Sequence, residues 1–403
     1  MIIEGMRILE AKRLIIVFLA ISLLSLFADI VYEGARSISG AYLNLLAAPA
    51  IAAGVLTIGD LLSNVMRLVG GAAAYKASSG RIYWGLILLG YATNLLIPFL
   101  ALTGSWEIAL LLFFIERFGK GIRGPPRDVI LAEITEEAGI GKGKGFGLHE
   151  FFDQLGAVTG PLIVLSMIFF KGYPEGYRDA FWIMWLPAIL AICSLLIAIK
   201  LYPSPRAVRA SELEGDRRLG RSFWIFLTGS MLVMIGLIHW AVISYYAEDV
   251  VKAGVIMAYQ IPIFYLIAMA VDGAIAFPIG AVYDKVGIRS IIVAPISAIF
   301  IAPLLFGVGG WMGLCLAAVF WGFSMGIVET MMRAAVADLT QARSRSLAYG
   351  IYSFGIGLSW AISGILFSLL YQIGLTNLIT AICIIVELIA IGIFTALPKS
   401  RKT

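Results

Sequence analysis

Apolar residues run in stretches of bilayer length along almost the whole chain, and the polar segments between them are short. A membrane-crossing helix needs about 20 mostly apolar residues. Twelve such stretches are read, at roughly 14–38, 47–75, 82–102, 107–134, 145–170, 180–200, 222–246, 254–282, 290–308, 311–338, 346–371 and 375–397. Each is predicted to be a helix, because in lipid every backbone polar group must be bonded within its own segment. The fold class expected is therefore all-α integral membrane. The first stretch is too long for the apolar part of a signal peptide and is read as a retained helix.

The longest polar segment, Tyr202–Ser222, holds Pro203, Pro205, five arginines and three acidic residues. It divides the chain into a six-helix bundle over 1–201, a linker over 202–221 and a second six-helix bundle over 222–403. The halves share text. GIRGPPRDVILAEIT (Gly121–Thr135) aligns with GIVETMMRAAVADLT (Gly326–Thr340), and GFGLHEFF (Gly145–Phe152) aligns loosely with AYGIYSFG (Ala348–Gly355). Parallel repeats with a site between them at the bilayer midplane are a signature of transporters.

Composition agrees with the pattern and adds a direction. The chain has 403 residues, is 61% hydrophobic and only 14% charged, and its mean hydropathy is +0.95. Soluble domains carry about 25% charged residues. With the N-terminus inside, 20 of the 30 Lys and Arg fall on the cytoplasmic side, and Lys171, Arg178 and Lys252 fall on the opposite side. Lys and Arg accumulate in cytoplasmic loops, so both termini are expected in the cytoplasm and the chain in the cell membrane. The net charge of +5 follows this topology and gives no sign of a nucleic-acid partner. Cys193, Cys315 and Cys383 lie in apolar runs without CxxC spacing, and imply neither disulfide nor zinc. No cofactor is expected.

Ionisable residues inside the apolar runs change the picture most. A charged side chain at the bilayer centre costs about 2.5–3.5 kcal/mol on insertion scales, and persists where it faces a water-filled path or a partner. Span 1 places Ser22, Ser25, Asp29, Glu33 and Arg36 three and four residues apart, on one helical stripe. Two carboxylates on one stripe repel when both are ionised, which suits a proton-binding site. The alternative is a structural pair neutralised by Arg36. Span 4 carries Glu116, Lys120, Arg123 and Arg127 on one stripe, with Arg117 and Asp128 on a neighbouring face. Gly124-Pro125-Pro126 is expected to bend or loosen that helix. These charges suit an anion, control of a carboxylate, or an interhelical salt-bridge network.

Span 10 carries Glu329 and Arg333, an i, i+4 pair able to neutralise itself. Span 5 opens with His149, Glu150 and Asp153, which suit a proton relay or a cytoplasmic gate, since histidine titrates near neutral pH. Gly156 and Gly160 further along it suit close helix packing, and Pro161 suits a kink. His239 in span 7 reads as a structural hydrogen-bonding group or as part of the polar path. Asp60, Arg67, Asp272 and Glu387 also lie within apolar runs, and Glu387 has no assigned role.

Three segments resemble motifs of the major facilitator superfamily. GAVYDKVGIR (Gly280–Arg289), between spans 8 and 9, resembles motif A, with Gly280, Asp284, Lys285, Gly287 and Arg289 at the motif positions. Arg117-Phe118-Gly119-Lys120-Gly121 resembles motif B. Gly156-Ala157-Val158-Thr159-Gly160-Pro161 resembles motif C, which the family associates with proton-coupled exporters. The first-half counterpart of motif A, GAAAYKASSGR (Gly71–Arg81), departs from the pattern, with Tyr75 where the family has Asp and extra residues before Gly80. The resemblance implies the superfamily's fold of two six-helix bundles, with span 1 lining a central cavity. It also implies a cytoplasmic latch, in which Asp284 faces the start of a helix in the opposite bundle.

The function expected is proton-coupled export of a small molecule, as antiport by alternating access. The chain is expected to be a monomer in the lipid bilayer, with a small-molecule substrate and protons as its ligands. A divalent-metal exporter using Asp29, Glu33, His149 and His239 is an alternative on the same fold. A membrane enzyme or a non-transporting receptor is a third, but no nucleophile–base or His-rich metal motif is present in the sequence. Nothing resembles an ATP-binding phosphate loop.

Overall fold

The computed structural model describes residues 2–76, 80–205, 219–341 and 344–397. Most of the 202–221 linker lies outside the described residues, as do the side chains of Tyr75 and Lys76. The described chain is helical, without strands.

Sixteen α-helices and four tighter or wider helical turns build twelve crossings. Span 1 is α1 (Ile2–Ser37), followed by the short α2 (Ser39–Leu45). Span 2 is α3 (Ile51–Lys76), and span 3 is α4 (Gly80–Ala92) continued by a 3-10 turn, Thr93–Leu102. Spans 4 and 5 are α5 (Trp106–Glu137) and α6 (Lys142–Lys171). Span 6 is α7 (Glu175–Ile183) with α8 (Trp185–Leu201). Span 7 is α9 (Arg221–Gly236) with α10 (Trp240–Lys252), and span 8 is α11 (Gln260–Val286). Span 9 is a 3-10 turn, α12 (Val293–Ala298) and a π turn. Span 10 is α13 (Gly310–Ile327), a π turn and α14 (Arg333–Asp338). Spans 11 and 12 are α15 (Arg345–Gln372) and α16 (Thr376–Thr395).

Eleven of these runs are long and apolar enough to cross a bilayer. Only α5 departs, because Glu116, Arg117, Lys120, Arg123, Arg127 and Asp128 interrupt its apolar text. Large apolar side chains point outward along the spans, with Phe170 at 77% and Phe277 at 86% exposure. Such a surface suits lipid and not water. The chain is a multi-pass membrane protein of the twelve-helix, two-bundle class.

One sequence expectation meets a different structure, in span 7. Helix α5 is continuous through Gly124-Pro125-Pro126. Pro126 leaves the Ile122 carbonyl without its helical donor, and that oxygen lies against Gly70 of α3, where a Cβ would come within 2.5 Å of it. Span 7, read as one helix, is broken at Leu237–His239. Its freed groups find partners: Ser363 Oγ donates to the Leu237 carbonyl at 3.3 Å, and Trp321 Nε1 donates to that of Ile238 at 2.9 Å. The His239 side chain caps α10 by accepting from the Ala241 N–H at 3.1 Å.

The chain forms two compact units. One comprises Met1–Arg36 and Leu62–Ala210, the other Ser37–Leu61 and Ser211–Thr403. The division differs from the sequence boundary in one segment, since the Ser37–Leu61 hairpin goes with the second half. The first unit has an apolar core of Phe18, Ile21 and Leu24 from α1, Trp84 and Tyr91 from α4, Ile130 and Ile134 from α5, and Leu195 from α8. Trp84 Nε1 donates to the Tyr202 carbonyl at 2.8 Å, and Tyr202 donates to Glu133 at 2.6 Å. The second unit centres on Trp240 and Trp321, whose ring centroids lie 5.3 Å apart.

The repeated blocks occupy matching places. Both finish at the end of an even-numbered span, α5 or α14, just before α6 or α15 begins. Thr135 and Thr340 close them alike, each hydroxyl donating to the carbonyl four residues back, at 2.9 and 2.6 Å.

Candidate functional site

The ionisable side chains of the first unit converge from α1, α4, α5 and α6. Helix α6 brings its share by approaching α1 closely. A Cβ on Gly156 would fall 2.5 Å from the Leu26 carbonyl and 3.0 Å from Asp29 Cβ, and one on Gly160 would strike the Ile30 carbonyl and lie 2.7 Å from Gly34 N. Pro161 lies inside α6, which continues through it.

That contact places His149 and Asp153 beside the polar stripe of α1. His149 is buried, with Nδ1 at 3.3 Å from Ser22 Oγ and Nε2 at 3.3 Å from Ser25 Oγ. Asp153 Oδ2 lies 3.8 Å from His149 Nε2. Asp153 and Asp29 lie within electrostatic range of each other, and both feel Arg127. The like-charge pair of greatest interest is thus Asp29 with Asp153, across two helices, in addition to Asp29 with Glu33 along one. Glu150 is exposed beside them.

The cations of α5 surround this group. Arg127 donates to Ser25 Oγ at 2.8 Å and pairs with Asp128 at 2.8 Å. Arg123 is buried, donating to Asn94 Oδ1 at 2.8 Å and lying 4.1 Å above the Tyr91 ring. Arg117 pairs with Glu116 at 3.0 Å and lies 4.2 Å from the Tyr32 ring centroid. Lys120 Nζ lies 2.9 Å from the same centroid, with Asp29, Glu33 and Glu116 in electrostatic range. Arg36 reaches Glu33 at 3.7 Å. Cations over aromatic faces gain about 0.5–2 kcal/mol each. Tyr32, Tyr91 and Asn94 therefore belong to the site, although only the charged residues stand out in the sequence.

The remaining sequence candidates lie in the second unit. His239 Nε2 contacts Asp60 Oδ2 at 2.9 Å, and its Nδ1 accepts from the Ala241 N–H. Nδ1 thus carries no proton, and Nε2 donates to Asp60. Glu329 and Arg333 are exposed and form no ion pair within 4 Å among the described residues. The motif A segment closes α11. Gly287 has φ of 80°, in the region that favours glycine. Arg289 donates to the Leu397 carbonyl at 3.1 and 3.2 Å, tying the turn to the end of α16. Asp284 and Lys285 are exposed, and Gly280 lies near Thr330.

Comparison with known proteins agrees with this architecture. The family model of the Major Facilitator Superfamily matches residues 263–403. An uncharacterized protein of Mycobacterium tuberculosis is 33% identical over 402 residues, covering 98% of this chain and 95% of that protein. An uncharacterized MFS-type transporter of Methanocaldococcus jannaschii is 26% identical, covering 77% of this chain and 78% of that protein. Among solved structures, the nucleoside transporter NupG superposes with a TM-score of 0.72 at 16% identity, over 94% of this chain and 98% of that one. A POT family transporter superposes with a TM-score of 0.69 at 15% identity, over 94% of both chains. At such identity these two structures speak for the fold alone.

Proposed function

Because the chain belongs to the major facilitator superfamily, we propose that it is a secondary transporter that exports a small molecule in exchange for protons by alternating access. The observation that carries the proton coupling is the meeting of Asp29, Asp153 and His149 among the fixed cations of α5. Two carboxyls in one low-dielectric site do not both carry charge cheaply, so the pair suits a transported proton. Arg127 and Lys120 then compensate whichever carboxyl is ionised. The export direction rests on the motif C resemblance of Gly156, Gly160 and Pro161. The sidedness of Lys and Arg supports cytoplasmic termini and residence in the cell membrane.

The test is flux in proteoliposomes loaded from a small-molecule library, with and without an imposed pH gradient. Gradient-driven movement is expected in wild type. Asp29→Asn and Asp153→Asn are expected to lose the gradient-driven component and to retain exchange of substrate across a zero gradient. Unaltered transport by both variants from about pH 6 to 8 would make the cluster structural.

A further inference from the structure

Helix α9 ends in the middle of span 7, at Gly236. The end of a helix leaves its last carbonyls without helical donors and carries roughly half a negative charge. Against this end lies the carboxyl group of Glu387, from α16. A Cβ on Gly236 would lie 2.7 Å from Glu387 Cδ and 2.8 Å from Cγ, with Oε1 nearer still. Only a glycine leaves room for the acid there.

Glu387 is fully buried, at 0% exposure, and neither of its oxygens has a hydrogen-bond partner among the described residues. No ion pair reaches it among those residues. At the break itself, Ser363 donates to the Leu237 carbonyl and Trp321 to that of Ile238. Ionisable groups near the break include Asp60 and His239, which bond each other, Tyr265 against Trp240, and Cys383 one turn earlier on α16. A bare carboxylate buried without a donor is strongly disfavoured, and the negative end of α9 opposes it further. The environment thus asks for a positive ligand, and among the described residues no hydrogen bond or ion pair to Glu387 supplies one. In discontinuous membrane helices, unwound backbone carbonyls and half-helix C-terminal ends are a recurring way to hold Na⁺ or H⁺.

We propose that Glu387 and the C-terminal end of α9 form a binding site for one monovalent cation, a proton or an alkali ion. A bound proton lets the carboxyl donate to a carbonyl at the end of α9. An alkali ion would take the carboxylate and those carbonyls as oxygen ligands. The site lies wholly within the second unit, separate from Asp29 and Asp153. Its occupancy depends on where α9 ends, so a rearrangement of span 7 about Leu237–His239 would release the ion.

The full-length chain purified in detergent tests this without any transported substrate, so the result is independent of the function proposed above. Infrared spectra of wild type and Glu387→Gln are compared in choline buffer, and thermal unfolding is followed in choline, lithium, sodium and potassium chlorides at equal ionic strength. A proton site gives a protonated-carboxyl band in wild type that Glu387→Gln lacks, with no alkali-dependent stabilisation. An alkali site gives a higher Tm in one alkali salt than in choline, a difference that Glu387→Gln abolishes. Should Glu387→Gln fail to accumulate, Glu387→Met provides the same comparison. Absence of both signals, with Glu387 ionised and indifferent to salt, overturns the proposal.

Discussion

At the scale of single residues, the site is decided by which charges meet. Glu116 and Arg117 form its most buried ion pair, with side chains only 1% and 3% exposed. Removing one member of a buried pair leaves an uncompensated charge and costs about 3–5 kcal/mol. Glu116→Ala is therefore expected to lower thermal stability by about that much, and the double variant Glu116→Ala/Arg117→Met by less. A single variant as stable as wild type would show that Arg117 finds equal compensation over Tyr32. The sequence makes the charges legible as stripes but not their partners. Spacing groups Glu116 with Lys120, whereas the ion pairs join neighbours along the chain, Glu116 with Arg117 and Arg127 with Asp128. Long side chains reach around a helix, so a stripe fixes where Cβ points and not where the charge ends. Tyr32, Tyr91 and Asn94 escape notice for another reason. Aromatic and amide residues are common in membrane helices, and only the fold brings them under Lys120 and Arg123.

At the scale of helices, hydropathy locates eleven of the twelve spans, and only the charged α5 falls short of it, because lipid imposes an apolar run of bilayer length on each helix. Breaks are less legible, because tertiary partners decide them. Pro125 and Pro126 are read as a bend or loosening, and α5 continues past them with the Ile122 carbonyl freed. Leu237-Ile238 carries no breaking residue, yet span 7 opens there and Ser363 and Trp321 take its carbonyls. The contact of α6 with α1 is legible, as small residues four apart, and it tests the packing. A Cβ at Gly160 meets backbone atoms of Ile30 and Gly34, which cannot yield as a flexible side chain does. Overpacking of this kind costs typically 1–3 kcal/mol, so Gly160→Ala is expected to lower the Tm measurably. Gly85 of α4 provides the control, since a Cβ there meets nothing within 4 Å. Gly85→Ala is expected to be neutral or to stabilise by up to about 1 kcal/mol, because alanine favours the helix. Equal loss in both variants would mean that the α6–α1 contact is not tight.

At the scale of the whole molecule, the Ser37–Leu61 hairpin carries the argument. It belongs to the first six spans by sequence, yet it packs within the second unit on α10 and α15. Asn44 donates to Asp249 Oδ1 at 2.8 Å and to the Tyr245 carbonyl at 2.9 Å. Lys252 donates to the Asn44 carbonyl at 2.9 Å, and Tyr371 donates to Asp249 Oδ2 at 2.7 Å. Trp240 Nε1 reaches the Ser37 carbonyl at 3.1 Å. Under the alternating access proposed above, one state would release this hairpin from α10 and α15, and these bonds would be lost there. Hydrogen bonds to a charged group contribute about 1.5–3 kcal/mol, and about 1.4 kcal/mol is tenfold in a two-state ratio. Asp249→Asn is therefore expected to raise the reaction rate of a cysteine placed at Ser244, beneath the hairpin, by roughly tenfold. Asp284 supplies the opposite case. It is exposed here and forms no hydrogen bond or ion pair among the described residues, so its substitution leaves the docked hairpin untouched. If the motif A latch operates, Asp284 is engaged only in the other state, and Asp284→Asn should lower the Ser244→Cys rate by favouring docking. Movement of the two variants in the same direction, or no movement in either, would separate the hairpin from the transport cycle.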